Sequence, residues 1–233
     1  MFNGGYFSFH KILHLRIFII SLVLEMADNS ISVIIPAHNE ARNIRETVTS
    51  ALYYADEVIV IDDGSIDSTS EIARNAGARI VRHTTQRGYI AAIKTGYNLA
   101  RGNISVILDG DGEFPAEKIP LLVSPIKQNK ADMVQGHRTL IPRLSEKFLN
   151  WLANRIEFVG DSGSGFRAIR TDIAKRLKLN GVCICGVFTL EVISKGGRLE
   201  EIPITLHSIS KPRKIAWFHL KQFFYILPWF LKK

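Results

Sequence analysis

From Ser30 onward, short runs of Val and Ile alternate with longer stretches of helical periodicity. The pattern predicts buried strands at 31–36 (ISVIIP), 57–62 (EVIVID), 78–83 (ARIVRH), 104–109 (ISVILD) and 131–136 (ADMVQG). Between them it predicts helices: one capped by Asn39 and running to about Tyr53, and others over 67–76, about 88–100, and from Pro115 to about Gln128. Strands that are apolar on both faces, separated by helices, indicate a parallel sheet covered on both sides. The fold class is therefore α/β, with a Rossmann-like, mostly parallel central sheet. Such sheets bind ligands beyond the carboxyl ends of their strands. After Arg138 the pattern loosens into a helix at about 143–157, a Gly/Ser turn, a strand at 165–170, a helix and a strand at 198–206, read as an extension of the same domain.

Composition adds little until charge is mapped along the chain. Thirty Lys and Arg stand against 22 Asp and Glu, a net charge of +8. Two of the excess charges, Lys11 and Arg16, lie in residues 1–24, and six lie in residues 207–233; neither segment holds an acid. The middle of the chain is neutral. A nucleic-acid binder spreads basic residues over its reading face, so nucleic acid is excluded as a partner. Basic ends that are also apolar and aromatic point to anionic lipid. Residues 215–233 (IAWFHLKQFFYILPWFLKK) fit an amphipathic interfacial helix; a helix folded back on the core, or a dimer contact, is the competing reading. Residues 12–24 resemble the apolar part of a signal peptide, but His14 and Arg16 interrupt them and about 20 apolar residues are needed to span a bilayer. Residues 1–29 are read as an extension, either interfacial or upstream of the working protein. Cys183 and Cys185, the two cysteines, are spaced for neither an unstrained disulfide nor a complete zinc site, which indicates a reducing compartment.

Polar residues collect at the predicted strand ends: His38-Asn39-Glu40, Asp62-Asp63 and Asp109-Gly110-Asp111. Side chains at i and i+2 of an extended chain point the same way. Asp109 and Asp111 can therefore meet one hard divalent cation, Mg²⁺ or Mn²⁺, with Glu113 as a further ligand or as the group that orients a metal-bound water. A calcium loop fits poorly, because Phe114 and Pro120 stand where that loop requires Gly and Glu. In the second strand-end cluster, Gly64 makes the turn and Asp67 or Ser68 caps the next helix.

Taken together, PAHNE (36–40), DDGSIDST (62–69), QRGYIAAIKTG (86–96) and LDGDGEFPAEKIP (108–120) resemble the inverting family-2 glycosyltransferases of the GT-A fold. GHR (136–138), DSGSGFRAIR (161–170) and the 190–204 stretch resemble the dolichyl- or polyprenyl-phosphate mannose/glucose synthase branch. The resemblance covers about residues 31–211. It implies that Pro36, His38, Glu40, Ile61 and Asp63 line a nucleotide site, and that Asp109, Gly110, Asp111 and Glu113 bind the metal diphosphate. It also implies that Arg138 and Ser164 meet the acceptor phosphate and the sugar, with Lys211 and Arg213 in a basic loop over the phosphates. Asp161 stands on the same acceptor side and is the candidate base if the acceptor is a hydroxyl. The chain departs from the family pattern at His38, where many relatives carry an aromatic residue, at Val187, where a base is expected, and at His207, where an arginine is usual.

The reading that follows is a GT-A domain over 30–211 and a basic aromatic membrane-interface helix over 212–233. The implied reaction is transfer of a hexose from GDP-mannose or UDP-glucose to a polyprenyl or dolichyl phosphate at the cytoplasmic face of the cell membrane, with the protein peripheral or interfacially anchored. The alternatives are a soluble transferase acting on a glycan, protein or small-molecule hydroxyl, and a catalytically silent nucleotide-sugar-binding membrane scaffold. Two decoys are set aside. Gly160-Asp161-Ser162-Gly163 mimics a serine-protease nucleophile sequence but sits in an α/β chain with no partnered His. Gly163-x-Gly165-x-x-Ala168 mimics a dinucleotide fingerprint but coincides with a predicted strand.

Overall fold

A computed structural model describes residues 29–139, 144–157, 159–207 and 218–230, together with His14 and Arg16. The expectations for residues 1–28 and 208–217 lie outside these residues, apart from His14 and Arg16, which are helical and exposed. The strands are β1 (Ile31–Ala37), β2 (Glu57–Asp62), β3 (Arg79–Arg82), β4 (Ile104–Ile107), β5 (Met133–Arg138), β6 (Arg167–Arg170) and β7 (Leu199–Ile204). The helices are α1 (Ile44–Leu52), α2 (Thr69–Asn75), α3 (Tyr89–Leu99), α4 (Ile119–Lys127), α5 (Leu144–Asn154), α6 (Thr171–Lys175), α7 (Val187–Ser194) and α8 (Phe218–Phe230).

One seven-stranded sheet runs in the order β3-β2-β1-β4-β6-β5-β7. The first four strands pair in parallel, as their continuous apolar runs predict. β6 is antiparallel to both β4 and β5, so β5 does not join the parallel run directly. β1 is buried along all seven residues because both faces are covered. Val33 and Ile35 pack against α1 residues Ile44 and Val48. Ile34 points the other way, against Ala92, Ile93 and Tyr97 of α3 and Phe188 of α7. α3 crosses β1 at Gly96, where a Cβ would overlap the Ile34 side chain. A third cluster joins α5 (Leu149, Leu152) to Val187 and Leu190 of α7 and Ile226 of α8.

Two expectations are corrected locally. Asn39 does not cap α1, which begins five residues later; Asn39 instead takes φ 57° and its Oδ1 accepts the Ile66 N–H at 2.9 Å. The chain from Pro115 first forms a 3₁₀ turn over Ala116–Lys118, and α4 follows it. No helix among the described residues is long and apolar enough to cross a membrane.

The start of β5 is tied to the start of β7 by Asp132, which receives Arg198 Nε at 2.9 Å and the Arg198 N–H at 2.9 Å, with Arg170 Nε at 3.3 Å. The Arg198 side chain holds the Asp132 carboxyl down at about 2, against partial burial. Arg198 is half exposed, so solvent screens much of this attraction. Asp132→Asn should cost on the order of 1 kcal/mol near neutral pH. A depressed carboxyl stabilises the fold only while ionised, so the gap to the parent should close as pH falls through about 4 toward 2. Paired urea titrations across that range check it.

Candidate functional site

The carboxyl ends of β1, β2 and β4 open into a cleft of about 300 Å³ lined by Pro36, His38, Glu40, Asp63, Asp109 and Asp111. Register gathers these residues: Ala37 pairs with Asp62, and the Asp63 N–H donates to the Ala37 carbonyl at 2.8 Å, so the two strands end level. His38 Nδ1 donates to the Asp63 carbonyl at 3.0 Å, which leaves Nε2 to accept from Asn39 Nδ2 at 3.2 Å. The ring is thus fixed on the cleft wall.

The two acids of the Asp62-Asp63 pair take different work. Asp62 is buried and accepts the Ser65 N–H and the Ser70 hydroxyl, which shapes the turn after β2. The Asp63 carboxylate accepts from His83 Nδ1 at 2.6 Å, the Arg87 N–H at 2.8 Å and the Gly88 N–H at 2.7 Å. Burial pushes its pKa up, but the His83 bond and the two backbone donors outweigh it and hold the carboxyl below the usual range. These bonds seat the 85–88 loop over the cleft, with Gln86 on its wall. Gly64, at φ 75°, lets the loop approach; a Cβ there would lie 2.8 Å from the Gln86 nitrogen.

Asp109 and Asp111 follow β4, and the Leu108 N–H still donates to the Ile34 carbonyl at 3.0 Å. With Tyr89, these two acids also line a second cleft of about 310 Å³, whose walls include Glu113, Arg138 and Gly163. They therefore stand where the two clefts meet. The Tyr89 hydroxyl donates to Asp109 Oδ1 at 2.6 Å. Burial, and next the charge of Asp111, push the Asp109 carboxyl up to about 6 despite the Tyr89 bond and the nearby Arg138. A carboxyl raised by burial and by a neighbouring acid is short of positive charge, and an oxygen-rich pair in that state fits a hard divalent cation. Glu113 lies buried on the same wall. Gly165 abuts Asp109 from the opposite side, where a Cβ would overlap the carboxylate.

The second cleft is built around a buried ion pair. Arg138 Nε and Nη2 donate to the two Asp161 oxygens at 2.7 and 3.0 Å, and Nη2 also reaches Glu146 at 3.2 Å. Burial pushes Asp161 up, but the Arg138 bonds and charge outweigh it, so the carboxyl is held below the usual range. The turn that carries Asp161 is itself fixed: Glu201 accepts the Gly160 and Asp161 N–H groups at 2.8 and 3.1 Å, and Asn150 Oδ1 accepts the Ser162 N–H at 2.8 Å. An Asp fully engaged with an arginine is a poor proton acceptor, which counts against Asp161 as a base.

Pro36, His38, Glu40, Asp63 and Gly110 line the first cleft. Ile61 does not; it is fully buried among Ile34, Ile59 and Ala92. Ser164 is also fully buried, with Oγ accepting the Phe166 N–H at 3.3 Å, and its neighbours Gly163 and Gly165 line the second cleft in its place. Lys211 and Arg213 lie outside the described residues. Sequence reasoning passed over Tyr89, His83 and Gln86. Their signal was the position of QRGY just beyond the third strand, at the same sheet edge as the acids.

Because the Asp109 pKa is raised above its unfolded value, its ionised form destabilises the metal-free fold. Asp109→Asn should raise the stability of the metal-free protein above neutral pH by on the order of 1–3 kcal/mol. The gain should shrink as pH falls through about 6, and the variant should no longer be stabilised by Mn²⁺. Thermal melts of parent and variant with and without Mn²⁺, across that pH range, test both statements.

The fold has counterparts. The glycosyl transferase family 2 model matches residues 32–192. An uncharacterized protein of Methanocaldococcus jannaschii is 31% identical over 204 residues, covering 79% of this chain and 84% of that protein. Dolichol-phosphate mannosyltransferase of Pyrococcus furiosus is 29% identical over 200 residues, 75% of this chain and 56% of the relative. Undecaprenyl-phosphate 4-deoxy-4-formamido-L-arabinose transferase of Edwardsiella ictaluri is 31% identical over 166 residues, 63% and 51%. The chain spans about half the length of these two transferases. Among solved structures, glucosyl-3-phosphoglycerate synthase from Mycobacterium tuberculosis, in complex with phosphoglyceric acid, superposes with a TM-score of 0.76 at 20% identity, over 88% of this chain and 81% of that one. The same enzyme has been solved with Mn²⁺, UDP and glucosyl-3-phosphoglycerate, and that structure superposes at 0.68 and 21%, over 81% and 75%. The fold is that of these structures, and the chain belongs to glycosyl transferase family 2.

Proposed function

We propose that this protein transfers a hexose from a nucleoside-diphosphate sugar to a polyprenyl or dolichyl phosphate, using Mg²⁺ or Mn²⁺ held by Asp109 and Asp111. The observation that carries the reading is the place of those two carboxylates, on the walls of both clefts at once. A donor whose base and ribose lie in the first cleft, beside His38 and Asp63, brings its diphosphate to the junction. An acceptor in the second cleft then meets the sugar from the other side. When bound, the cation neutralises charge on the diphosphate as the nucleoside diphosphate leaves.

The bond changes ask little else of the protein. An acceptor phosphate oxygen forms the new bond to the anomeric carbon, the bond from that carbon to the diphosphate breaks, and its electron pair leaves with the diphosphate. The acceptor is already ionised near neutral pH, so no strong base is required and positioning dominates. The engagement of Asp161 by Arg138 suits that requirement. Arg138 lines the cleft that would take the acceptor. The Pyrococcus furiosus and Edwardsiella ictaluri transferases are named for lipid-phosphate acceptors.

A membrane surface is supported by α5 and α8. Leu144, Phe148 and Trp151 of α5, and Leu220, Phe224, Tyr225 and Leu227 of α8, are all exposed on helices that pack together. Phe148 stacks with Trp151 and with Phe223. Six uncompensated positive charges accompany them after residue 206. An exposed apolar face in a part of the sequence rich in lysine suits an anionic lipid surface of the kind found at the cytoplasmic face.

GDP-mannose and UDP-glucose assayed with a polyprenyl phosphate on anionic vesicles, with product masses read, test the reading. A hexosyl phosphate lipid that disappears with chelator is expected. Transfer only to water-soluble hydroxyl acceptors would replace it with a soluble transferase. Arg138 should be sensitive to shape as well as charge, because lysine cannot reproduce the two-point contact with Asp161. Arg138→Lys should lower turnover roughly 10²–10³-fold. Arg138→Ala should also cost about 3–5 kcal/mol of stability, since it removes the two-point partner of the buried Asp161. Turnover and melting measured on both variants separate the two effects.

A further inference from the structure

Cys183 and Cys185 supply two ligands, too few for a zinc site, and the fold brings them a third. His219, on the second residue of α8, places Nε2 3.9 Å from Cys185 Sγ, and the two sulfurs and the ring nitrogen all lie within 4.8 Å of one another. With metal–sulfur bonds of about 2.3 Å and metal–nitrogen bonds of about 2.0 Å, ligand atoms of a tetrahedral zinc site stand roughly 3.5–3.8 Å apart. The three side chains therefore need to close by no more than about 1.3 Å.

The surroundings are built for ligation. His219 Nδ1 lies 2.7 Å from Ser145 Oγ at the start of α5. Donation from Nδ1 to that hydroxyl directs the lone pair of Nε2 at the sulfurs, the outer-shell arrangement that orients metal-bound histidines. One turn further along α8, the fully buried Gln222 accepts the Val182 and Cys183 N–H groups at 3.0 and 3.2 Å and donates to the Cys185 carbonyl at 2.9 Å. The backbone of the cysteine loop is thereby fixed to the same helix face that carries His219. Ile226 continues that face into the third apolar cluster.

We propose that Cys183, Cys185 and His219 form a Zn²⁺ site that pins α8 to the 181–186 loop. Two thiolates and an imidazole suit a soft or borderline metal, whereas Asp109 and Asp111 suit a hard one, so the two sites select different ions. All three ligands line the second cleft, and a water or small anion from the cleft completes the tetrahedron. The site does not rest on the transfer reaction proposed above. Its effect is to fasten the helix with the exposed aromatic face to the wall of the cleft.

The test uses full-length protein, reduced and stripped with chelator, then titrated with Co²⁺ and back-titrated with Zn²⁺. One equivalent of Co²⁺ should give thiolate-to-cobalt charge-transfer absorption that Zn²⁺ abolishes. The absorption should persist in Asp109→Asn and vanish in the Cys183→Ser/Cys185→Ser protein. Ser145→Ala, which spares all three ligands, should weaken Zn²⁺ about 10–100-fold. Zn²⁺ should also slow proteolysis within 218–230 in the parent and not in the double variant. A reduced parent with no thiolate absorption, absorption retained in the double serine variant, or cysteines that only form a disulfide without binding metal would each overturn the proposal.

Discussion

Asp109, Asp111 and Glu113 fall within five residues at the end of β4, and two of them border both clefts. Carboxylates packed this closely repel one another, and much of the nearby structure answers that repulsion. Tyr89 donates to Asp109, Arg138 supplies positive charge from β5, and Gly165 stays without a side chain so that the Asp109 carboxylate has room. What these measures leave uncompensated shows in the raised Asp109 pKa. The site is unfavourable by itself, and the cation proposed above would relieve it, a common trade of stability for function.

The neighbouring cleft is organised on the opposite principle. Arg138, Asp161, Glu146 and Glu201 satisfy one another and the backbone of the 160–162 turn, so charge is spent on rigidity. Arg167 lies under the same turn, fully buried, donating to the Ser162 and Ser164 carbonyls and lying 4.6 Å from the centre of the Phe188 ring. One cleft thus holds charge in reserve for a ligand, while the other uses charge to hold its shape.

The strands and the acids were legible in the sequence because both depend on local rules. Buried parallel strands read as Val/Ile runs, and Asp-x-Asp at a strand end needs only the alternation of side chains. Ile61 was misplaced because the same alternation turns it into the core while Asp63, two residues on, stands beyond the strand end. Ser164 was misplaced because a turn, unlike a strand, gives no rule for which side chain faces out. The pairing of β6 against β4 and β5, the hold of Asp63 on His83 and the 85–88 loop, and the meeting of His219 with Cys185 all join segments 20 to 66 residues apart. No periodicity encodes such meetings; they appear only when the sheet order is known.

That sheet order has a mechanical consequence. β6, inserted antiparallel between β4 and β5, hydrogen-bonds both to the strand that leads into Asp109 and to the strand that ends in Arg138. Val134, Phe166 and Ala168 share a single apolar cluster with Val33 and Ile35. Among the described residues, the backbone that joins the two clefts is therefore continuous hydrogen-bonded sheet. The separation of whatever they hold is fixed when the sheet forms, and passage in and out is left to the segments that border the sheet, the 85–88 loop on one side and the 181–186 loop with α8 on the other.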